Sequence, residues 1–269
     1  MLSLEKQILF LISSTEGVEV KRLVEIYEAR GVDHQIVRNA LLRLKKEGYL
    51  SSKERSKYEI TIQGLDFITT INQKPQLLGK PWDGQWLTVM FEVPESERKK
   101  RDALRSDLLQ LGFGALYKSV YITPWDYVEE VLRFAKQYDV EDRLTLLKGS
   151  FVAQEQPLTL VKRLWPLEEL NEVYRAKIQW FHSEFVPDIE PLLREPSDGL
   201  ALFVRFLELG ELLADLSLND PMLPEELLEP NWLGRACFQD MQQCLRQLAD
   251  AIPMQSPYRM FVARFLTES

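Results

Sequence analysis

The sequence has few cysteines and few histidines, and each shortage excludes a class of protein. Cys237 and Cys244 are the only two cysteines. Seven residues apart on one predicted helix, they would lie roughly 10 Å apart, too far for a disulfide. The two histidines, His34 and His182, stand at no metal-ligand spacing from either cysteine. We therefore expect neither a disulfide framework nor a metal site, and no cofactor.

Long apolar runs and glycine-rich phosphate loops are also missing. No segment reaches the roughly 18 to 20 consecutive apolar residues that span a bilayer, so we expect no membrane partner. The run Ile8 to Ile12 lacks a basic leader and a cleavage site, and we interpret it as a buried helix face rather than a signal peptide. Apolar residues make up 45% and charged residues 28%, which is typical of a globular protein. We expect a cytoplasmic location.

The net charge of -8 argues against nucleic-acid binding until its distribution is considered. Residues 1–73 contain eleven Lys and Arg against ten Asp and Glu, whereas the remainder contains 22 against 31. Between His34 and Lys57 there are seven basic and only two acidic residues. A local basic patch is sufficient to contact phosphates, and an acidic remainder limits non-specific binding.

The order of elements in residues 1–73 predicts a winged helix-turn-helix. Three amphipathic helices are expected over residues 4–13, 20–30 and 34–47, with Asp33 as the cap of the third. A short hairpin with a polar tip follows, and Thr61 can cap a further helix that turns Leu65, Phe67 and Ile68 inward. We therefore predict that this segment is a DNA-binding domain.

The third helix carries the predicted DNA-reading face. At 100° per residue, its core stripe is Val37, Ala40, Leu41 and Leu44. Amides and guanidiniums on the opposite face can read base edges, an apolar side chain can meet a thymine methyl, and hairpin cations can bind phosphates. The predicted DNA-binding residues are Gln35, Arg38, Asn39, Leu42, Arg43, Lys46, Lys53, Arg55 and Lys57.

The rest of the chain predicts two further domains, and the fold class is α+β and multidomain. Pro75, Gly79, Pro81 and Gly84 mark residues 74–85 as a linker. Residues 86–156 show the order β-α-β(β)-α-β of a ferredoxin-like unit. Residues 157–269 lack strand signals and form an all-helical C-terminal domain. Its helices are expected near 167–186, 198–217, 232–252 and 257–267, with proline interruptions at Pro187, Pro191, Pro196, Pro221, Pro224, Pro230 and Pro253.

Three groups of motifs stand in order along the chain. The first is Val37 to Leu50, followed by Tyr58 to Thr61 and Gly64. The second, in the middle of the chain, comprises Trp82-Asp83-Gly84-Gln85-Trp86, Glu92-Val93-Pro94-Glu95, Arg101 to Arg105, Leu111-Gly112-Phe113-Gly114 and Ser119-Val120-Tyr121-Ile122. The third comprises Asp220-Pro221-Met222-Leu223-Pro224, Leu227-Leu228 and Pro230 to Gly234. Together these groups resemble the PaaX-like family of repressors of phenylacetate breakdown.

The resemblance implies a homodimeric transcriptional repressor with a winged-helix head, a Cas2-like middle domain and a helical C-terminal domain. Its DNA partner would be a double-stranded operator with an inverted repeat. The third helix of one protomer would read each half-site. Its effector would be an acyl-CoA, phenylacetyl-CoA in the family, which releases the repressor from DNA. The wing differs from the family pattern, because Glu54 interrupts its cations.

The effector is expected to bind outside the head, because most apolar mass lies in residues 86–267. We place it between the helical and ferredoxin-like domains, where it would shift the spacing of two DNA heads. An anionic ligand needs cations, and the sequence does not choose among the candidates. These are Arg175, Arg205, Arg235, Arg259 and Arg264.

Two alternatives stay open in the middle domain. A Cas2-like domain could be a metal-dependent nuclease, which needs a carboxylate at the end of the first strand to hold the metal ion. Glu92 lies at that position, but no second carboxylate lies at a spacing that indicates another metal ligand. Glu92 could equally be a surface residue or an ion-pair partner. Residues 97–101 and Arg105 form a second basic cluster, which we interpret as a solvated helix face compensated by nearby acids; the alternative is a contact to DNA or ligand phosphates.

Overall fold

The computed structural model describes residues 3–52, 54, 56–71, 74–152 and 156–266. The chain forms two compact units, and each is built from several segments. Unit 1 contains Met1–Gln73, Arg175–Leu216 and Ala236–Ser269, and unit 2 contains Lys74–Tyr174 and Ser217–Arg235. Within the described residues, no helix is long and apolar enough to cross a membrane.

The N-terminal part of unit 1 consists of helices and a small antiparallel sheet. The elements follow the order α1 (Leu4–Ser13), β1 (Val18–Glu19), α2 (Val20–Glu28), α3 (His34–Lys46), β2 (Leu50–Ser51), β3 (Lys57–Ile60) and α4 (Ile62–Ile71). Strand β3 lies between β1 and β2 in the sheet. The sequence did not predict β1, because two residues are too short to show an alternating pattern.

The inward face of α4 differs by one residue from the predicted one. Thr61 caps the helix as expected, since its hydroxyl accepts from the Gly64 backbone N–H at 3.1 Å. A Cβ on Gly64 would lie 2.4 Å from the Tyr49 carbonyl, so Gly64 marks the side of closest approach. Ile68, one turn later, is buried, whereas Leu65 is 42% exposed. The prediction that Leu65 points inward was therefore wrong.

Helical segments from the C-terminal half belong largely to the same compact unit as this N-terminal part. They include α9 (Val186–Arg194), α10 (Gly199–Asn219), α11 (Gly234–Ala251) and α12 (Arg259–Val262). Two arginine–aromatic contacts join the segments: the Arg22 guanidinium lies 5.3 Å from the Tyr258 ring centre, and that of Arg264 lies 4.1 Å from the Phe10 ring centre. Such contacts add to the apolar burial between these segments.

Helix α9 corrects the prediction that Pro187 and Pro191 interrupt the helical pattern. Both prolines lie within α9. A π-helical turn, Phe181–Phe185, precedes it, and Pro187 occupies the first turn, where a backbone N–H has no helical partner. Pro191 lacks only the hydrogen bond to the carbonyl of residue 187, which a short helix tolerates.

Unit 2 is built on a four-stranded antiparallel sheet. Its elements follow the order β4 (Trp86–Phe91), α5 (Arg98–Leu111), β5 (Gly114–Tyr117), β6 (Val120–Thr123), α6 (Val128–Tyr138) and β7 (Leu144–Gly149). The strand order is β5-β6-β4-β7. One face of the sheet packs against α5 and α6 through Val89, Leu104, Leu108, Tyr121 and Val131.

Helix α7 (Pro157–Leu164) and the start of α8 (Leu167–Trp180) bring a second apolar cluster to unit 2. Trp86 of β4 stacks on Trp165 with ring centres 6.4 Å apart. The Trp165 indole N–H donates to the Gly112 carbonyl at 3.0 Å. The sequence did not predict α7, which lies between the last strand and the first expected helix.

A buried polar cluster holds the start of the expected linker. Lys74 is 6% exposed, and its ammonium donates to the backbone carbonyls of Leu218 at 3.0 Å and Asp220 at 3.1 Å. The Asp220 carboxylate accepts from the Tyr174 hydroxyl and from the Met222 backbone N–H. Burial lowers the pKa of Lys74 to about 8, despite the opposing field of Asp220. The first linker residue is therefore a fixed part of unit 2.

Candidate nucleic-acid interface

Helix α3 has the cap and the core stripe that its sequence predicts. The Asp33 carboxylate accepts from the Gln35 backbone N–H at 2.7 Å, which fixes the first turn. Val37, Ala40, Leu41 and Leu44 are all buried. Because these residues hold one side of the helix against the core, the opposite side is turned to solvent.

The predicted reading face of α3 is fully accessible. The exposed residues are Gln35, Arg38, Asn39, Leu42, Arg43 and Lys46. The Gln35 amide donates to the Asn39 side-chain oxygen at 3.2 Å, so these two polar side chains lie one turn apart and adjacent. The structure thus brings six of the nine predicted residues together on one helix surface.

Two apolar side chains on the same helix are exposed as well. Leu42 is 58% exposed and Ile36 is 54% exposed. Only Leu42 was predicted as a contact residue. The signal for Ile36 was available, because it lies one position before the buried Val37 and therefore outside the core stripe. Exposed branched side chains on a polar helix fit contacts to thymine methyl groups.

The cations of α3 are largely free of carboxylate partners. Arg43 pairs with Glu5 at 3.3 Å, and its side chain is still 69% exposed. Among the described residues, Arg38, Lys45 and Lys46 have no carboxylate within ion-pair distance. Lys45, which was not predicted, is exposed beside Lys46. This end of α3 therefore carries positive charge that the protein itself does not neutralise.

Of the three cations predicted to bind DNA from the hairpin, one is described by the structure and two lie outside the described residues. Lys57 is half-buried at the start of β3, where its side chain passes the backbone of Gly17. Lys53 and Arg55 are outside the described residues. Ser56 has a φ of 63°, the left-handed conformation that turns the chain into β3.

The second basic cluster, on α5, is compensated by carboxylates. Arg98 pairs with Asp102 at 3.2 Å and Arg101 pairs with Glu95 at 2.8 Å. Lys100 bridges Glu97 at 2.9 Å and Asp139 at 3.1 Å. The hydrogen bond that the Lys100 ammonium donates to Glu97 raises the pKa of Lys100. These cations are engaged within the protein, as the interpretation of a compensated surface helix expects.

The geometry around Glu92 gives no support to a nuclease centre. Glu92 is exposed at the end of β4, and its backbone N–H donates to the Arg143 carbonyl at 3.1 Å. In the described part of the chain, no group of three His, Cys, Asp or Glu side chains could hold a metal ion.

Burial raises the pKa of the Cys237 thiol to about 12 and that of Cys244 to about 11, so neither is a reactive thiolate at neutral pH.

The candidate effector cations have different environments. Arg259 donates to the carbonyls of Ala249, Asp250 and Ile252 and so caps the end of α11. Arg264 covers the Phe10 ring and Arg235 pairs with Glu225. Arg205 pairs with Asp188 and Glu208, both at 2.6 Å. Arg175 is exposed.

Three family models match successive parts of the chain. They are the PaaX-like protein model over residues 9–64, the PaaX protein central Cas2-like domain over residues 79–161, and the PaaX-like protein C-terminal domain over residues 165–255. The chain is 30% identical to the transcriptional repressor PaaX of Escherichia coli K12 over 228 residues, which cover 81% of this chain and 70% of that protein. The chain belongs to the PaaX family.

A solved structure is similar over most of the chain. It is the uncharacterized protein Rv0674 from Mycobacterium tuberculosis, with a TM-score of 0.56 and 22% sequence identity. The similarity covers 87% of this chain and 91% of that one. It supports the mixed helix and sheet architecture.

Proposed function

We propose that this chain is a DNA-binding transcriptional repressor and not an enzyme. The observation that carries the proposal is the exposed face of α3, which presents amides, unpaired cations and two apolar side chains. The opposite side of the helix is packed in the core. Such a face matches the edge pattern of the major groove. Membership of the PaaX family and the repressor function of the related Escherichia coli protein support it.

In this proposal, residues 1–73 are a winged helix-turn-helix head. Helix α3 is the recognition helix, α2 crosses before it, and β2 with β3 form the wing. Lys53, Arg55 and Lys57 of the wing bind phosphates or the minor groove. Residues 74–85 are the linker.

The rest of the chain dimerises and senses a signal. Residues 86–156 form a ferredoxin-like, Cas2-like domain, and their β-α-β-β-α-β connectivity with antiparallel strand order β5-β6-β4-β7 supports that fold. Residues 157–269 form the helical domain. A homodimer presents two recognition helices to an inverted repeat, one per half-site. A small acidic metabolite releases it, and the acyl-CoA expected from the resemblance is the first candidate.

The test is footprinting of the purified full-length protein on the DNA upstream of its own gene. We expect a protected inverted repeat whose half-sites are about one helical turn apart, or a multiple of it. A folded protein that protects no site in this DNA would contradict the repressor proposal. Titration of the protein–operator complex with phenylacetyl-CoA and free CoA then tests the effector separately, because loss of the footprint requires a difference in affinity between the two states.

A further inference from the structure

A cavity of about 810 Å³ opens in unit 1 along the outer face of α10. The inner face of this helix is buried through Leu202, Phe203, Phe206 and Leu209. Residues of the outer face recur every three or four positions along the helix and line the cavity. Its lining residues are Ala201, Val204, Arg205, Glu208, Glu211, Leu212 and Asp215. A volume of this size is typical of small-molecule sites.

The walls of the cavity come from three other helices. Lys177 and Trp180 lie three residues apart on α8 and therefore share one face. Leu192 of α9 adds an apolar surface, and Ala29 with Arg30 close the cavity at the end of α2. The cavity thus combines an indole ring, several aliphatic side chains and ionised groups from both halves of the chain.

Most of the ionised groups at this cavity already have partners. The Arg30 guanidinium donates to both oxygens of Glu211, at 2.6 and 2.8 Å. Arg205 is held by Glu208, and Asp198 accepts from the backbone N–H groups of Leu200 and Ala201, both at 3.0 Å. Among the described residues, Lys177 has no carboxylate within ion-pair distance. One ammonium beside one indole ring is therefore the group most available to a ligand.

We infer that this cavity binds an apolar carboxylic acid with a single negative charge. Its carboxylate pairs with Lys177, and its aromatic or aliphatic body packs between Trp180, Leu192 and Val204. Asp198, Glu208, Glu211 and Asp215 outnumber the cations Arg30, Lys177 and Arg205 at the cavity. A coenzyme A thioester, with several phosphate charges, would meet more repulsion there than a monocarboxylate does.

A ligand in this cavity would also touch the DNA-binding head. Arg30 stands four residues before His34, where α3 begins, and its guanidinium lies 5.7 Å from the Tyr27 ring centre. The Tyr27 hydroxyl is buried and has no hydrogen-bond partner among the described residues. A bound acid beside the Arg30–Glu211 pair therefore acts on the segment that positions α3. This regulatory consequence rests on the proposed function, whereas binding itself does not.

The test is isothermal titration calorimetry of the free full-length protein, without DNA. The probes are octanoate and 4-phenylbutyrate, each compared with its neutral amide. We expect the acids to bind and the amides to bind about 10- to 150-fold more weakly or not at all, since a lost charged hydrogen bond costs roughly 1.5 to 3 kcal/mol. Lys177→Gln should weaken acid binding by about the same factor. Lys118→Gln, the same change at an exposed lysine outside the cavity, should leave it unchanged.

Two results would overturn the inference: no acid binds at millimolar concentration, or amide and acid bind equally. The amide comparison uses the unmodified protein, so the inference stays testable even if Lys177→Gln fails to fold. Footprinting decides the proposed function independently. Acid binding by a protein that protects no DNA would leave the cavity assigned and the repressor proposal refuted.

Discussion

Helices α3 and α5 have similar numbers of basic residues, yet carboxylates engage more of the cations on α5 than on α3. On α5, Arg98, Lys100 and Arg101 each pair with at least one carboxylate. On α3, Arg38 and Lys46 have no such partner in the part of the chain that the structure describes. The difference shows that the position of acids in space, and not the count of basic residues, decides which helix can offer charge to phosphates.

Lys74 is held more completely than the cations of either helix, because its ammonium is buried and donates to two backbone carbonyls. We therefore rank the cations by how completely the protein itself holds them: Lys74 first, then those of α5, then those of α3. Stability measurements should respond to the first two, and DNA-binding measurements to the last.

The largest effect is expected from Lys74→Met in the pH dependence of stability. Burial lowers the folded-state pKa of Lys74 to about 8, below its ordinary value of 10.5. Below pH 8 both states are protonated, and the cost of the buried charge is fully present. Between pH 8 and 10.5 the folded chain releases a proton that the unfolded chain keeps, so the free energy of unfolding rises, by up to about 3 kcal/mol. Denaturant unfolding across this window measures it.

In Lys74→Met that rise should disappear, whereas Lys80→Met, at an exposed lysine nearby in sequence, should keep it. If the unmodified protein and Lys74→Met show parallel profiles between pH 8 and 10.5, the ammonium is not enclosed as described, and the ranking loses its first member.

The next effect should separate α3 from α5 directly. Arg38→Ala should weaken binding to the footprinted operator by roughly 5- to 150-fold, or 1 to 3 kcal/mol, if its guanidinium donates two hydrogen bonds to one base edge. Arg98→Ala should change affinity by less than about twofold, because Asp102 already engages that guanidinium. Fluorescence anisotropy with labelled operator measures both. Equal losses in the two variants would break the comparison.

A smaller effect is expected in the salt dependence of binding. Lys46→Gln removes a cation that a phosphate can use, so the slope of log affinity against log salt should become shallower by about one. Lys100→Gln provides the matched control, since Glu97 and Asp139 hold its ammonium. An unchanged slope in Lys46→Gln would mean that this lysine does not contact the DNA backbone.

The smallest effect is expected for the stability of α5. Arg101→Ala removes the pair with Glu95, which is largely exposed. Exposed ion pairs contribute about 0 to 1 kcal/mol, so the free energy of unfolding should fall by less than about 1 kcal/mol. A loss well above that value, measured by denaturant titration, would show that the α5 pairs stabilise unit 2 and do more than neutralise surface charge.

What the sequence predicted depended on how local the determining contacts are. The buried stripe Val37 to Leu44 and the Asp33 cap follow from helical periodicity and were confirmed. The pairing of Lys100 with Asp139 joins residues 39 positions apart and has no local signal. The burial of Lys74 likewise depends on a loop near residue 220, and no local pattern in residues 74–85 indicates it. Local patterns thus predicted the exposed face of α3 but not which cations stay free.

The segmented make-up of unit 1 has a consequence for synthesis on the ribosome. Arg30 meets Glu211 across 181 residues of sequence, and Phe10 meets Arg264 near the other end of the chain. At about 5 to 20 residues per second, the acceptor for Arg30 is made roughly 10 to 40 s after the arginine itself. During that interval the N-terminal helices have no C-terminal segments to pack against. A nascent chain that stalls before α10 would therefore carry its basic α3 without the helix whose outer face lines the cavity.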